Sequence, residues 1–225
     1  ELTKLLSIVR ARCSIMKELL DKALQLQKGK IGQDVRSKID HFASFKDKSD
    51  EEWFSELCFC LLTANSKAST ACKIQADLGG KGFLKKSPEF ICKTIQKHKH
   101  RFHNNKTKFI VEARKHHKIK ETVQSQLTKP KKLREWLVNN IKGYGYKEAS
   151  HFLRNTGYLD FAILDRHILN LMLEHKVIRK KPTTLNKKKY TYIESRFKML
   201  AKKVNMSCAE LDYYMWYMKA GEVLK

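Results

Sequence analysis

Apolar residues recur at helical spacing along nearly the whole chain. Leu5, Ile8, Val9, Ile15, Leu19, Leu20, Leu24 and Leu26 mark one side of residues 2–27 and predict an amphipathic helix there. Ser49-Asp-Glu-Glu52 has the capping-box spacing and precedes Trp53, Phe54, Leu57, Leu61 and Leu62. Ser87 and Pro88 supply an N-cap and a first-turn proline for a short helix near 88–97. Phe109, Ile110 and Ala113 predict a helix near 105–116. Pro130 opens another, carrying Leu133, Trp136, Leu137 and Ile141, and a new one begins with Glu148, Ala149, Phe152 and Leu153. Asp165 is placed to cap a helix over 166–175. Tyr192, Ile193, Phe197, Leu200 and Val204 keep the period, and a second capping box, Ser207 to Glu210, leads through Leu211, Met215 and Met218 to Gly221. Sustained two-residue alternation and Asn-Gly or Asp-Gly hairpins are missing. The pattern predicts an all-α protein without internal repeats. The most linker-like stretch, 179–189 (RKKPTTLNKKK), reads as a solvated surface loop.

A chain of 225 residues can bury a substantial core, as one domain or as two small lobes. With 42% hydrophobic residues and 3 prolines it is not a linker or tail. Charge changes the picture more. Lys and Arg number 47 against 23 Asp and Glu, a net +24, which favours a polyanionic partner such as nucleic acid. A lysine-rich solvated surface would account for part of that excess. The six cysteines, at 13, 58, 60, 72, 92 and 208, form neither a C-x-x-C pair nor a close cluster of four. Zinc and iron-sulfur sites are therefore not expected, and no metal or cofactor is. The Cys58 and Cys60 thiols, inside an apolar run, read as buried small hydrophobes. No apolar run is long enough for a bilayer, and the opening residues read as amphipathic helix rather than secretory leader, so an intracellular protein is expected.

The most informative segment is Lys142-Gly-Tyr-Gly-Tyr-Lys147, set between two predicted helices. Two glycines one residue apart allow positive φ and a close backbone approach to another molecule. The amides that open the next helix have no partner within it and can donate to a phosphate. From the glycines alone, a tight turn between helices fits as well. The wider pattern, Ile-x-Gly-x-Gly-x-Lys-x-Ala flanked by helices, resembles the helix-hairpin-helix motif of base-excision DNA glycosylases. Asp165 follows Lys147 by 18 residues in Phe161-Ala-Ile-Leu-Asp-Arg-His167, as that superfamily's arrangement requires. Gly145–Asn155 (GYKEASHFLRN), Phe59–Ser66 (FCLLTANS), His100–Arg114, Trp216-Tyr217 and Gly221–Lys225 are similar to the archaeal-type 8-oxoguanine DNA glycosylase/lyases. The resemblance covers most of the chain beyond residue 50.

That resemblance implies a two-lobed, all-α helix-hairpin-helix fold with a DNA cleft between lobes. One lobe would span 46–157, and the other would combine 1–45 with 158–225. It implies base-excision repair of duplex DNA containing oxidised guanine by a monomer, in the cytoplasm or nucleoid. Lys147 would attack C1′ and form a Schiff base, its ammonium disfavoured in a helix's first turn and by desolvation against the bound base. Asp165 would stabilise the positive charge that develops on the deoxyribose, and β-elimination would then nick the strand. Gly143, Gly145 and His167 would hold the DNA backbone. The target base must leave the stack, and Asn65 would fill its place against the orphan base. Trp216, Asp212, His151 and the terminal carboxylate of Lys225 would line the base pocket. Tyr144 stands where the family's hairpin has a small or apolar residue, either touching DNA backbone or packing inward. Plainer roles stay open: Lys147 as a phosphate ligand, Asp165 as only an N-cap, His167 as a structural histidine, Trp216 as core. So do three other functions, one of them an adenine-mismatch or alkyl-base enzyme, which would usually lack the lysine. An endonuclease III-like glycosylase would ordinarily carry a C-terminal four-cysteine cluster that is missing here. A non-catalytic helix-hairpin-helix module would bind DNA with steep salt dependence and trap no covalent intermediate.

Overall fold

The computed structural model describes residues 2–125 and 130–223, with side chains from Ser14 onward. Its helices are α1 (Leu2–Lys28), α2 (Lys30–Ala43), α3 (Asp50–Thr63), α4 (Ala68–Lys85), α5 (Pro88–Lys97) and α6 (His103–Ala113). They continue with α7 (Ile119–Gln124), α8 (Pro130–Asn140), α9 (Tyr146–Asn155), α10 (Arg166–Glu174), α11 (Lys187–Lys203) and α12 (Cys208–Ala220). Short 3-10 turns follow α2 and α6. No strand occurs among the described residues, and the all-α expectation holds. The chain forms two compact units, one of Glu1–Asp40 with Leu159–Val223 and one of His41–Tyr158.

The His41–Tyr158 unit is built round α3. From Trp53 to Thr63 every residue of that helix is buried, the pattern of a helix enclosed by others. Helices α4, α6, α7 and α9 pack on it. Its start is fixed by the expected capping box: Glu52 N donates to Ser49 Oγ at 3.3 Å, and Ser49 N to Glu52 Oε2 at 2.9 Å. Helix α4 kinks at Gly79 (φ 58°), and the next residue, Gly80, lies so close to the Glu51 backbone that a Cβ there would collide with it. Each fully buried aromatic, such as Phe54 or Phe59, contributes on the order of 1.5–3 kcal/mol by leaving water. Cys58 and Cys60 are buried in this core, and burial pushes the Cys58 thiol well up.

In the other unit α1, α10 and α11 pack on α12. The expected capping box opens α12, with Glu210 N donating to Ser207 Oγ at 3.2 Å and Ser207 N to Glu210 Oε2 at 2.8 Å. Side chains of α11 hold the extended segment before α10. Tyr190 donates its hydroxyl to the Ala162 carbonyl at 2.7 Å and accepts from Leu164 N at 3.3 Å, while Glu194 accepts from Ala162 N at 3.3 Å.

Three helices were not legible in the apolar pattern. Helix α4 is interrupted by glycines and α7 is little more than a turn, so neither shows a sustained stripe; α2 follows α1 after only Gly29. Helix α6 ends at Ala113, and Arg114–His116 is a 3-10 turn. Helix α11 starts inside the basic 179–189 stretch, because Asn186 caps it by accepting from Lys189 N at 3.0 Å. Among the described residues no helix is long and apolar enough to cross a membrane. Nor is any group of three His, Cys, Asp or Glu arranged to hold a metal ion.

Candidate active site

The segment between α8 and α9 is a short hairpin fixed from both sides. Ile141 N continues the helix by donating to Leu137 O at 2.9 Å, and Tyr144 N then closes a turn on Ile141 O at 3.0 Å. Gly143 has φ 90°, in the region that L side chains rarely adopt, and a Cβ there would stand 2.5 Å from Cδ2 of Phe109 on α6. Gly145 differs from it. At φ −106° it is the extended N-cap of α9, so of the two glycines that allow positive φ only the first adopts it. Tyr144 points inward, 7% exposed, and its hydroxyl donates to Leu57 O of α3 at 2.9 Å. Burial raises its pKa well above the ordinary phenol value.

Helix α9 is locked on α3 by packing and by a buried polar chain. Phe152 meets Trp53 edge-on with centroids 6.0 Å apart. Arg154 Nε donates to Asn155 Oδ1 at 2.8 Å, and Asn155 Nδ2 donates to Glu56 Oε1 of α3 at 2.5 Å. Such a network is costly to break, since each partner would leave a buried polar group unsatisfied. The Arg-Asn pair that closes the family-like stretch 145–155 is therefore structural.

Lys147, expected as the nucleophile, is the second residue of α9. Its Nζ lies 3.1 Å from Glu148 Oε1, and its side chain is 26% exposed. Glu148 in turn accepts from Gly145 N through Oε2 at 3.0 Å, so one carboxylate caps the helix and receives the lysine. A third charged group belongs to this cluster. Lys106 of α6 is 5% exposed and donates to Leu61 O at 2.6 Å. Burial brings its pKa down to about 8, with Glu148 favouring the charge and Lys147 opposing it. The expectations drawn from sequence included neither Glu148 nor Lys106. The signals existed: Gly145-x-x-Glu148 is capping spacing, and Lys106 shares the α6 stripe with Ile110 and Ala113. One turn beyond Lys147 on α9, His151 is buried with its ring edge-on to Phe59, centroids 5.6 Å apart.

Asn65 follows α3 in a left-handed conformation (φ 60°) and is exposed. The end of α3 below it is tied down by side chains. Lys106 takes the Leu61 carbonyl, and His100 Nε2 lies 3.0 Å from Leu62 O. His100 Nδ1 accepts from Phe102 N at 3.2 Å, so Nε2 carries the proton that Leu62 O receives. Burial lowers the His100 pKa, which agrees with the neutral ring.

The other unit gathers the remaining candidates. Asp165 caps α10, its Oδ1 accepting from Ile168 N at 2.8 Å, and is half-buried at the end of the segment that Tyr190 and Glu194 hold. Two residues on, the His167 ring stands edge-on to Trp216 of α12 with centroids 6.3 Å apart. Asp212, one turn before Trp216, is 6% exposed. The structure thus brings Asp165, His167, Trp216 and Asp212 into one unit, and Lys147, Gly143, Gly145, Asn65 and His151 into the other. Lys225 lies outside the described residues.

A family model described as 8-oxoguanine DNA glycosylase matches residues 35–206. An 8-oxoguanine DNA glycosylase/AP lyase of Methanocaldococcus jannaschii is 45% identical over 92% of this chain and 99% of that protein. One from Korarchaeum cryptofilum is 38% identical over 92% of this chain and 98% of its own length. Among solved structures, the Methanocaldococcus jannaschii glycosylase/lyase in complex with 15mer DNA containing 8-oxoguanine superposes with a TM-score of 0.89, covering 92% of this chain and all of that one. The 8-oxoguanine DNA glycosylase of Thermotoga maritima gives a TM-score of 0.87 at 37% identity, covering 93% of this chain and all of that one. With the family match spanning most of the sequence and near full-length likeness in fold, the chain belongs to the 8-oxoguanine DNA glycosylase family.

Proposed function

We propose that this chain excises 8-oxoguanine from duplex DNA and cleaves the strand at the abasic site it creates, acting as a monomer on chromosomal DNA in the cytoplasm or nucleoid. The observation that supports it most is full-length likeness, in sequence and fold, to a glycosylase/lyase crystallised on DNA containing that lesion. The His41–Tyr158 unit supplies the hairpin and the nucleophile, and the other unit supplies the carboxylate.

In this reading the lone pair of neutral Lys147 attacks C1′ of the extruded nucleotide. The glycosidic bond breaks toward the base, which leaves protonated, and the Asp165 carboxylate stabilises the positive charge on the sugar during that step. Loss of the remaining amine proton and ring opening give an imine. Removal of a C2′ proton then expels the 3′ phosphate, and hydrolysis of the imine returns the lysine. Glu148, already within hydrogen-bond distance of Nζ, is an acceptor for the ammonium form before the attack. The amides of Tyr146, Lys147 and Glu148 precede Ala149, the first residue to bond back within α9 (to Gly145 O, 3.0 Å), and they face the anion that a helix N-terminus favours. Asn65 occupies the gap opposite the orphan base, His167 holds a phosphate, and Trp216, Asp212 and His151 are the residues proposed to meet the lesion.

Borohydride trapping on a duplex with 8-oxoguanine opposite cytosine tests this. Wild type is expected to give a covalent adduct and Lys147→Gln none, with the variant still binding the duplex. If wild type binds but never traps, the Schiff-base reading fails and a monofunctional glycosylase or a passive DNA-binding module replaces it.

A further inference from the structure

Apart from these residues, the Leu159–Val223 segment carries a groove that the excision chemistry does not use. It has a volume of about 670 Å³, within the range of small-molecule sites, and lies between the basic strap after α10 and the exposed side of α11. Its floor is apolar and fixed. Val177 and Ile178 are at most 5% exposed, and their amides both donate to Met172 O, at 2.8 and 3.1 Å. Ile193 of α11 completes it. Tyr192 stands on the rim at 63% exposure, one of two large hydrophobic side chains left open to solvent among the described residues. Lys189 and Arg196 lie three residues before and four after it, on the same side of the helix.

Charge here is of one sign. Residues 177–196 hold seven Lys and Arg and a single acid, Glu194. That carboxylate is buried and turned inward, accepting from Ala162 N, so it does not offset the groove. Lys181 is committed, its Nζ on Asn170 Oδ1 at 2.6 Å, which ties the strap to α10. Arg179 and Lys180 beside it and Lys189 and Arg196 opposite line the cavity. The Nε of Arg196 is buried with no hydrogen-bond partner in the fold, a donor left over at the wall of a cationic groove.

We propose that this groove binds an unpaired nucleic-acid strand, one base lying on the apolar floor against Tyr192 and the flanking phosphates meeting Arg179 and Lys180 on one side and Lys189 and Arg196 on the other. A site for phosphate alone would have no use for an apolar floor or an open aromatic. A free mononucleotide would engage only one of the two cation groups, whereas a strand carries a phosphate on either side of each base. Base stacking on aromatic side chains tolerates any sequence, so the groove holds strand without reading it.

The test uses the full chain and a short undamaged oligothymidylate bearing one 5-iodouracil. Irradiation is expected to attach it to the peptide containing Tyr192. Tyr192→Ala and the pair Lys189→Ala/Arg196→Ala should each weaken binding at least about fivefold, as loss of one stacked base predicts, while 8-oxoguanine excision from a short fully paired duplex stays unchanged. Lys202→Ala/Lys203→Ala removes equal charge from exposed positions at the end of the same helix and should change binding far less. The inference is overturned by crosslinks that avoid Tyr192 or by an equal loss in the Lys202/Lys203 variant. Tight binding of thymidine monophosphate alone, or equal competition by an acidic peptide, overturns it too. The crosslink and the binding losses do not depend on Lys147, so this inference and the excision reading fail separately.

Discussion

Replacing Gly143 by alanine puts two separable strains into the hairpin. The first is conformational: an L residue at φ 90° costs about 1–2 kcal/mol relative to glycine. The second is steric. The new Cβ would lie 2.5 Å from Phe109 Cδ2 and 2.9 Å from Cε2, so ring or hairpin must move, an overpacking cost of about 1–3 kcal/mol. Together they predict a loss of roughly 2–5 kcal/mol, which in a chain of this length lowers Tm by roughly 5–15 °C. Urea denaturation followed by far-UV circular dichroism should be run on wild type, Gly143→Ala, Phe109→Ala and the double variant. Removing the Phe109 ring relieves only the steric part, so in that background Gly143→Ala should cost about 1–2 kcal/mol, with the difference appearing as coupling. A Gly143→Ala protein within about 0.5 kcal/mol of wild type, or one losing the same amount in both backgrounds, would refute the hairpin geometry.

Two other substitutions probe the charged groups. Lys106 has a folded-state pKa near 8 against 10.5 for the ordinary amine, so between those values the unfolded chain binds more protons and stability rises with pH. The stability of wild type relative to Lys106→Met should therefore climb by up to about 3 kcal/mol from pH 8 to 10.5 and be flat below pH 8; a flat or falling difference in urea titrations contradicts it. Asp165→Asn keeps an oxygen for Ile168 N and caps nearly as well, so Tm should move little while single-turnover excision falls on the order of a hundredfold or more. A variant that instead loses stability and keeps its rate would reduce Asp165 to a helix cap.

What the sequence made legible, it did through local chemistry. Ser49, Ser87 and Ser207 announce their helices because a cap needs only the next three residues, and Gly143 announces the hairpin because few residues tolerate its φ. Helix α4 escaped because small residues and Gly79–Gly82 leave no apolar stripe, its packing being decided by the approach of Gly80 to α3. Tyr144 could not be assigned to DNA or to the core until Leu57 O was seen to take its hydroxyl. Lys106 escaped for a different reason. Among 47 basic residues one more lysine looks like surface even on the α6 stripe, and the fold places it under the end of α3.

The N-terminus of α9 has to serve three negative or nucleophilic groups at once, and the structure shows how the conflict is divided. A helix start attracts anions, and Glu148 already occupies part of that field by taking the Gly145 amide. An uncompensated carboxylate there would repel a phosphate arriving at the same turn. Lys147 neutralises it at 3.1 Å, so the turn presents amides without net negative charge. Glu148 also gives the lysine a partner that lies on its own helix and moves with it. The amine is thus held in the first turn, beside the amides that would fix the backbone of the nucleotide it is proposed to attack. Lys106 adds a second cation to the cluster, yet its ammonium is spent on Leu61 O, holding the turn of Asn65. The same cluster therefore supports the turn proposed to fill the stack and the amine proposed to open the sugar.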